Sequence, residues 1–353
     1  MTFQLLGTAL PLYGTTDTVV ELLTGDAGIA LLLGVVLLYV GAESLVKGAS
    51  NLSVGLGMRA AVAGVTVVAF ATSAPELAVG VLSGLDFGTT LGLGAIVGSN
   101  IANIGLVLGL SALIRPLDVA EETVRRHVPF MALAAVLLVG FGLDGTVGRF
   151  DAAVFLVALA GFTYVLFTAT DDGDADLDVA VDADADDSVA TDGGATAEGF
   201  GFLANRDIRL RDLAFVAVGL LLLLVGARRL ISGGQTFLYY LGFGDRFVGL
   251  TVLALGTSLP ELAASVVSAI RGEADFSVGN VVGSNIYNVL AVLGVLGLMT
   301  PISVPAGTST FEFPILVGFT GGAIVLMLRN RELTRVDGVV LLAGYALFVH
   351  FLL

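Results

Sequence analysis

The sequence predicts an all-α polytopic membrane protein: ten transmembrane helices, arranged as two inverted-topology five-helix repeats with discontinuous motif helices. Three observations predict it. Of 353 residues, 56% are hydrophobic and only 13% charged, with a mean hydropathy of +0.96. Ordinary soluble domains carry about 25% charged residues, so a soluble globular enzyme is excluded. The chain also holds ten apolar runs that approach the ~20 residues needed to cross a bilayer. Finally, one half of the chain repeats the other.

The elements follow in order. Residues 1–26 lack the basic n-region of a cleaved signal peptide and are expected outside the membrane or at its interface. A first unit, 27–170, contains runs at 27–48, 60–84, 91–114, 128–143 and 151–169. A second, 207–353, contains runs at 212–231, 246–270, 276–300, 313–328 and 338–353. Between them, 171–206 is acidic: 171–198 alone hold ten Asp and one Glu with no basic residue, and without these the net charge rises from −15 to −4. Such a stretch buries too little apolar surface to fold alone and reads as a solvated, disordered linker. The alternative is a calcium sensor, but the spacing does not fit an EF-hand loop.

Basic residues set the orientation. With both termini outside, twelve of the sixteen, among them Lys47, Arg125, Arg126, Arg271 and Arg329, fall on the cytoplasmic side, and the acidic loop is cytoplasmic. Arg149, Arg228, Arg229 and Arg246 remain outside. Glu43 and Lys47, four apart near a cytoplasmic end, are expected to pair along one helix. There is no Cys, and the two His, His127 and His350, lie near span ends, so thiolate chemistry and a His-rich metal site are excluded.

Gly41–Leu113 aligns with Gly226–Leu298 at a constant offset of 185, without gaps, at about 40% identity. The match is densest where Thr72-Ser73-Ala74-Pro75-Glu76 meets Thr257-Ser258-Leu259-Pro260-Glu261, and where Gly98-Ser99-Asn100-Ile101-Ala102-Asn103 meets Gly283-Ser284-Asn285-Ile286-Tyr287-Asn288. Five spans per unit is an odd number, so the second unit enters the membrane from the opposite side. Inverted repeats are characteristic of secondary transporters, whose substrates bind near the midplane where the repeats meet.

The motifs carry the chemistry. Proline has no N–H, so Pro75 and Pro260 free the carbonyls of Ala71 and Gly256 and break each helix at mid-span. Broken backbone at that depth is tolerated only inside protein or beside a wet cavity. Loosened carbonyls and Thr or Ser hydroxyls are hard oxygen ligands, suited to Na⁺ and Ca²⁺. Glu76 and Glu261 follow directly, each in an apolar span where an ionised carboxylate costs at least ~2.5 kcal/mol. Such a group is expected to be protonated or matched by a bound cation. Ser99 and Asn103 stand four apart on one helix face, as do Ser284 and Asn288. Each Asn lies 27 residues after its Glu.

These motifs resemble those of the sodium/calcium exchanger branch of the calcium/cation antiporter superfamily, in its prokaryotic, haloarchaeal type, whose two repeats carry Gly-Thr-Ser-x-Pro-Glu and Gly-Ser-Asn-Ile. The resemblance implies that Glu76 and Glu261 are the central carboxylates. It further implies oxygen ligands from Thr72, Ser73, Thr257 and Ser258, and backbone carbonyls from Ala69 and Ala254. Ser99, Ser284, Asn103 and Asn288 complete the sites, and the first and sixth spans slide over the four motif helices. Three positions depart from the family pattern: Ala71 replaces Gly, Ala95 stands opposite Asn280, and Asn288 occupies a position that is often Asp.

The function expected is antiport of Na⁺ against Ca²⁺ across the cell membrane. Two carboxylates match one Ca²⁺ or two Na⁺. The alternative is Ca²⁺/H⁺ exchange, with the same glutamates as proton carriers. A channel would not couple the fluxes, and the spans lack the Asp/Ser/His set of an intramembrane enzyme. The ions and the lipid bilayer are the expected partners. Neither a cofactor nor nucleic acid is expected.

Overall fold

The computed structural model describes residues 25–55, 60–73, 89–168, 210–240, 256 and 258–352. Ten helices occur among them: α1 (Asp26–Gly55), α2 (60–73), α3 (89–114), α4 (Thr123–Gly142), α5 (Arg149–Thr168), α6 (Leu210–Tyr240), α7 (Leu259–Arg271), α8 (Ala274–Met299), α9 (Thr308–Asn330) and α10 (Arg335–Leu352). Seven of them are long and apolar enough to cross a bilayer. The acidic loop and the span predicted to begin at 246 lie outside the described residues up to 255.

The repeat seen in sequence is a repeat in structure. α3 turns π-helical over Asn103–Leu108 and α8 over Asn288–Leu293. α4 opens with a π-helical turn at Thr123–His127 and α9 with one at Thr308–Glu312. These boundaries differ by 185, the offset of the motifs. Two short antiparallel ribbons then cross-link the units. β1 (Leu117–Asp118) pairs with β4 (Glu332–Leu333), and β2 (Thr146–Val147) pairs with β3 (Ile302–Ser303). Each ribbon takes one strand from each repeat.

Inversion is visible where α1 meets α6. Gly34, Gly41 and Gly48 recur every seven residues in α1, as do Gly219, Gly226 and Gly233 in α6. A Cβ added to Gly41 would lie 2.8 Å from the Leu223 nitrogen, and one on Gly219 would lie 2.5 Å from the Leu45 nitrogen. The backbones touch, as small residues permit in membranes. Gly34 meets Leu230 while Gly48 meets Val216, so the helices run antiparallel. Equivalent helices of inverted repeats must do so. This contact also explains why α6 reaches Tyr240, nine residues beyond the predicted span. Arg228, Arg229 and Ser232 end the apolar run, but Gly233 still packs on Ala27 and Leu31 of the long α1.

α3 and α8 form the centre: 72% and 83% of their apolar windows are buried, against 22% for α5 and 28% for α6 and α9. The outer helices turn Leu32, Val136, Tyr164, Val325 and Phe351 outward. That is how a chain solvated by lipid distributes its apolar side chains.

The predicted helix break is present in the second motif. Ser258 has φ −88° and ψ 4°, and α7 begins beyond it with Pro260 in its first turn, where a missing N–H leaves no bond unmade. The corresponding break at Pro75 lies outside the described residues. α7 ends at Gly272, whose φ of 82° suits glycine, and the Glu273 N–H closes onto the Ser268 carbonyl at 2.8 Å.

That turn presents Arg271 to Glu43 and, at 2.8 Å, to Glu273. The expected Glu43–Lys47 pair is therefore corrected. Glu43 takes the guanidinium fork arriving from α7, and the Lys47 ammonium lies 5.5 Å over the Phe215 ring of α6. Contacts from Arg331 to Glu121 and from Arg335 to the Ile114 carbonyl gather several basic residues at one end of the bundle. α10 starts with a reciprocal cap. The Asp337 carboxylate accepts from the Thr334 N–H at 2.9 Å, the Asp337 N–H donates to the Thr334 hydroxyl at 3.3 Å, and Arg329 adds two contacts at 3.1 and 3.2 Å.

Candidate cation site

Four helices deliver the motif side chains to one buried region. α2 contributes Ala69, Thr72 and Ser73; α3 contributes Ser99, Asn100 and Asn103. The first turn of α7 carries Ser258 and Glu261, and α8 brings Asn280, Ser284 and Asn288. Every one of these side chains is buried, and Glu261, Asn103, Asn280 and Asn288 are 0% exposed.

The side chains meet across the repeats. The Thr72 hydroxyl lies 3.1 Å from Asn280 Oδ1, 3.4 Å from the Ser284 hydroxyl and 3.3 Å from its own helix's Ala69 carbonyl. In the other cluster the Ser99 hydroxyl lies 3.1 Å from that of Ser258. Asn288 Nδ2 donates to Asn100 Oδ1 at 3.0 Å and to the Ser99 hydroxyl at 3.4 Å. Each cluster thus joins the Thr-Ser motif of one unit to the Gly-Ser-Asn serine of the other. Asn100 Nδ2 also reaches the carbonyl of Asn285, its own repeat equivalent, at 3.3 Å. The region lies where the two repeats meet, as secondary transporters require.

Glu261 sits at the start of α7, where the helix dipole favours a negative charge. The buried side chains of these four helices are rich in oxygen. Ser73 Oγ, Asn103 Oδ1 and Asn288 Oδ1 are buried without a hydrogen-bond partner, as is Asn103 Nδ2. Buried polar atoms are otherwise almost always satisfied, so unsatisfied hydroxyl and amide oxygens on the motif helices require a reason. They are hard ligands of the kind Ca²⁺ and Na⁺ take. Among the described residues no group of three or more His, Cys, Asp or Glu is placed to hold a metal ion.

Of the expected ligands, Ala69, Thr72, Ser73, Ser99, Asn103, Ser258, Glu261, Ser284 and Asn288 are buried on these four helices. Glu76, Ala254 and Thr257 lie outside the described residues. Sequence reasoning overlooked Asn100 and Asn280 as participants. Asn100 stands inside a quoted motif, and Asn280 breaks the repeat at Ala95; that asymmetry was the available signal.

The sequence profile described as "Sodium/calcium exchanger protein" matches residues 27–168 and 212–353. The putative antiporter CaxA of Alkalimonas amylolytica is 33% identical over 322 residues, covering 90% of this chain and 96% of that protein. Sodium/calcium exchanger MaX1 of Methanosarcina acetivorans is 30% identical over 346 residues, covering 90% and 96%. Among solved structures, that of the sodium-calcium exchanger NCX_Mj is similar with a TM-score of 0.74 at 26% identity, covering 93% of this chain and 99% of that one.

Proposed function

Because the chain belongs to the sodium/calcium exchanger family, whose members are transporters and not enzymes, we propose that this multi-pass membrane protein exchanges Na⁺ for Ca²⁺ by alternating access. The observation that supports this most is the meeting of buried hydroxyl and amide groups from both repeats beside a broken helix whose first turn carries the buried Glu261. Glu261 and Glu76 together carry two negative charges, which one Ca²⁺ or two Na⁺ would balance. Occupancy by one excludes the other, and that exclusion is exchange. The remaining expected ligands, Thr257 and Ala254 included, take part through hydroxyl or carbonyl oxygen.

The alternative is Ca²⁺/H⁺ exchange on the same glutamates. A carboxylate needs no surrounding hydroxyls to carry a proton, so the unsatisfied oxygens of Ser73, Asn103 and Asn288 favour Na⁺. We place both termini outside and residues 171–206 in the cytoplasm, on the distribution of basic residues. The units 27–170 and 207–353 form the two halves. The backbone contact between α1 and α6 couples them into one body that slides over the four motif helices.

The test is ⁴⁵Ca²⁺ uptake into liposomes driven by a sodium gradient, with pH clamped on both sides. Uptake should follow the sodium gradient and ignore a proton gradient. Glu76→Gln and Glu261→Gln should each abolish it while leaving the protein monodisperse, because neutral Gln is cheaper in the membrane than an ionised Glu. Uptake that follows pH alone would establish the proton alternative, and near-normal flux in both variants would remove the glutamates from the site.

A further inference from the structure

Asn280 ties the second motif helix to the first, and the first repeat has no counterpart. The positions 185 residues before Asn280 and Ser265 hold Ala95 and Gly80. The two halves of the site are therefore wired differently.

Chemistry fixes how the Asn280 amide is turned. Its Nδ2 lies 3.2 Å from the Glu261 backbone carbonyl, which only accepts, and 2.9 Å from the Ser265 hydroxyl. Ser265 sends its own proton to the Ser277 carbonyl at 3.4 Å, so towards Asn280 it accepts. Both amide hydrogens are thus committed to α7, and Oδ1 faces Thr72. The Thr72 hydroxyl has one proton and three acceptors within reach, Asn280 Oδ1 at 3.1 Å, the Ala69 carbonyl at 3.3 Å and the Ser284 hydroxyl at 3.4 Å. Without Asn280 that proton falls to the Ala69 carbonyl or the Ser284 hydroxyl, and an oxygen that a cation would use loses a lone pair.

We propose that Asn280 is a positioning residue of the cation site: it draws the Thr72 proton away, so that the Thr72 hydroxyl oxygen and the Ala69 carbonyl both stay open to a cation. Its two N–H groups at the same time hold the α7 turn on which Glu261 stands. The half-site of Thr72 and Glu261 is ordered in advance by this amide, a device that Ala95 cannot provide in the other half. The inference rests on the reading of this region as the cation site.

The experiment is Ca²⁺ titration calorimetry on the full-length protein in detergent, at low Na⁺. Asn280→Ala should weaken binding about tenfold, the effect of one hydrogen bond of ordinary strength. In a Thr72→Val background, which has no hydroxyl proton to redirect, Asn280→Ala should add less than about twofold, the mark of coupled neighbours. Asn280→Asp keeps an acceptor for Thr72 while giving up both N–H groups to α7, so it should lose less than Asn280→Ala and remain within about threefold of the parent. Equal losses from Asn280→Ala in both backgrounds would mean a merely structural role and overturn the proposal, as would no loss at all. Where Asn280→Ala yields no folded protein, Asn280→Asp decides: binding within that range supports the proposal, and a loss of about tenfold overturns it. Glu261→Gln separates the two readings. If that variant binds Ca²⁺ like the parent, the cation site itself is misplaced; if it fails while Asn280→Ala binds normally, only the role of Asn280 falls.

Discussion

Gly283 opens the second Gly-Ser-Asn motif and lies against α2. A Cβ built on it would stand 2.5 Å from the Ala69 Cβ, 2.6 Å from the Val65 carbonyl oxygen and 3.0 Å from the Val65 Cα. Two of these three neighbours are backbone atoms, which cannot turn aside as a flexible side chain can. Carbon atoms settle at about 3.5–4.0 Å, so Gly283→Ala must drive α8 and α2 apart by roughly 1 Å. Forced repacking of this kind costs about 1–3 kcal/mol. The displaced helix carries the Ala69 carbonyl and Thr72, while Ca²⁺ holds its oxygens within about 2.3–2.6 Å. A shift of that size is several times the tolerance of the shell. Gly283→Ala should therefore lower the unfolding temperature in detergent and weaken calcium binding at least about tenfold, as read by thermal unfolding and calorimetry. Gly322→Ala on α9 is the control, since a Cβ there meets nothing within 4 Å, and both readouts should match the parent. If Gly283→Ala keeps parental stability and affinity, α2 and α8 do not touch as described, and the argument that small residues set this site fails.

Other outcomes follow from the same reasoning. Replacing 171–198 with a short flexible linker should leave sodium-driven calcium uptake largely intact, because the segment has the composition of a solvated chain; loss of a calcium-activation step in the shortened protein would establish it as a sensor. Asn288→Asp puts an acid opposite Asn100 Oδ1, which now accepts from Asn288 at 3.0 Å. The new acid should hold its proton at low pH and leave affinity unchanged, then ionise and tighten calcium binding as pH rises, since crowded acids resist ionisation. Calcium affinity curves that superimpose on the parent at every pH would take Asn288 out of the site. Burial alone would raise the Asp337 carboxyl, but the Thr334 hydroxyl and N–H and the Arg329 guanidinium hold it below the usual carboxylate range. Its ionised form therefore stabilises the fold above the unfolded value of about 3.9, and this is lost as pH falls through the folded value. Asp337→Asn should cost about 1 kcal/mol at neutral pH, with the gap from the parent closing in acid; a gap independent of pH would contradict the cap.

Hydropathy and spacing determined a good deal of this protein without coordinates. The apolar runs located the helices, because lipid demands continuous apolar length wherever the backbone crosses it. The offset of 185, combined with five spans per unit, required inversion, and α1 and α6 accordingly run antiparallel. Pro260 required a break, and α7 begins beside it. These are local or periodic properties, carried by each segment on its own. Partnership is a different kind of property. Thr72 meets Ser284, 212 residues away, Ser99 meets Ser258 across 159, and Glu43 passes over its neighbour Lys47 for Arg271 across 228. Which face of each helix turns inward, and how closely it approaches, depends on backbone contacts such as Gly283 against Val65 and Gly219 against Leu45. Asn280 gains its place in the same way. Its amide matters only because packing sets Thr72 on one side of it and the Glu261 carbonyl on the other.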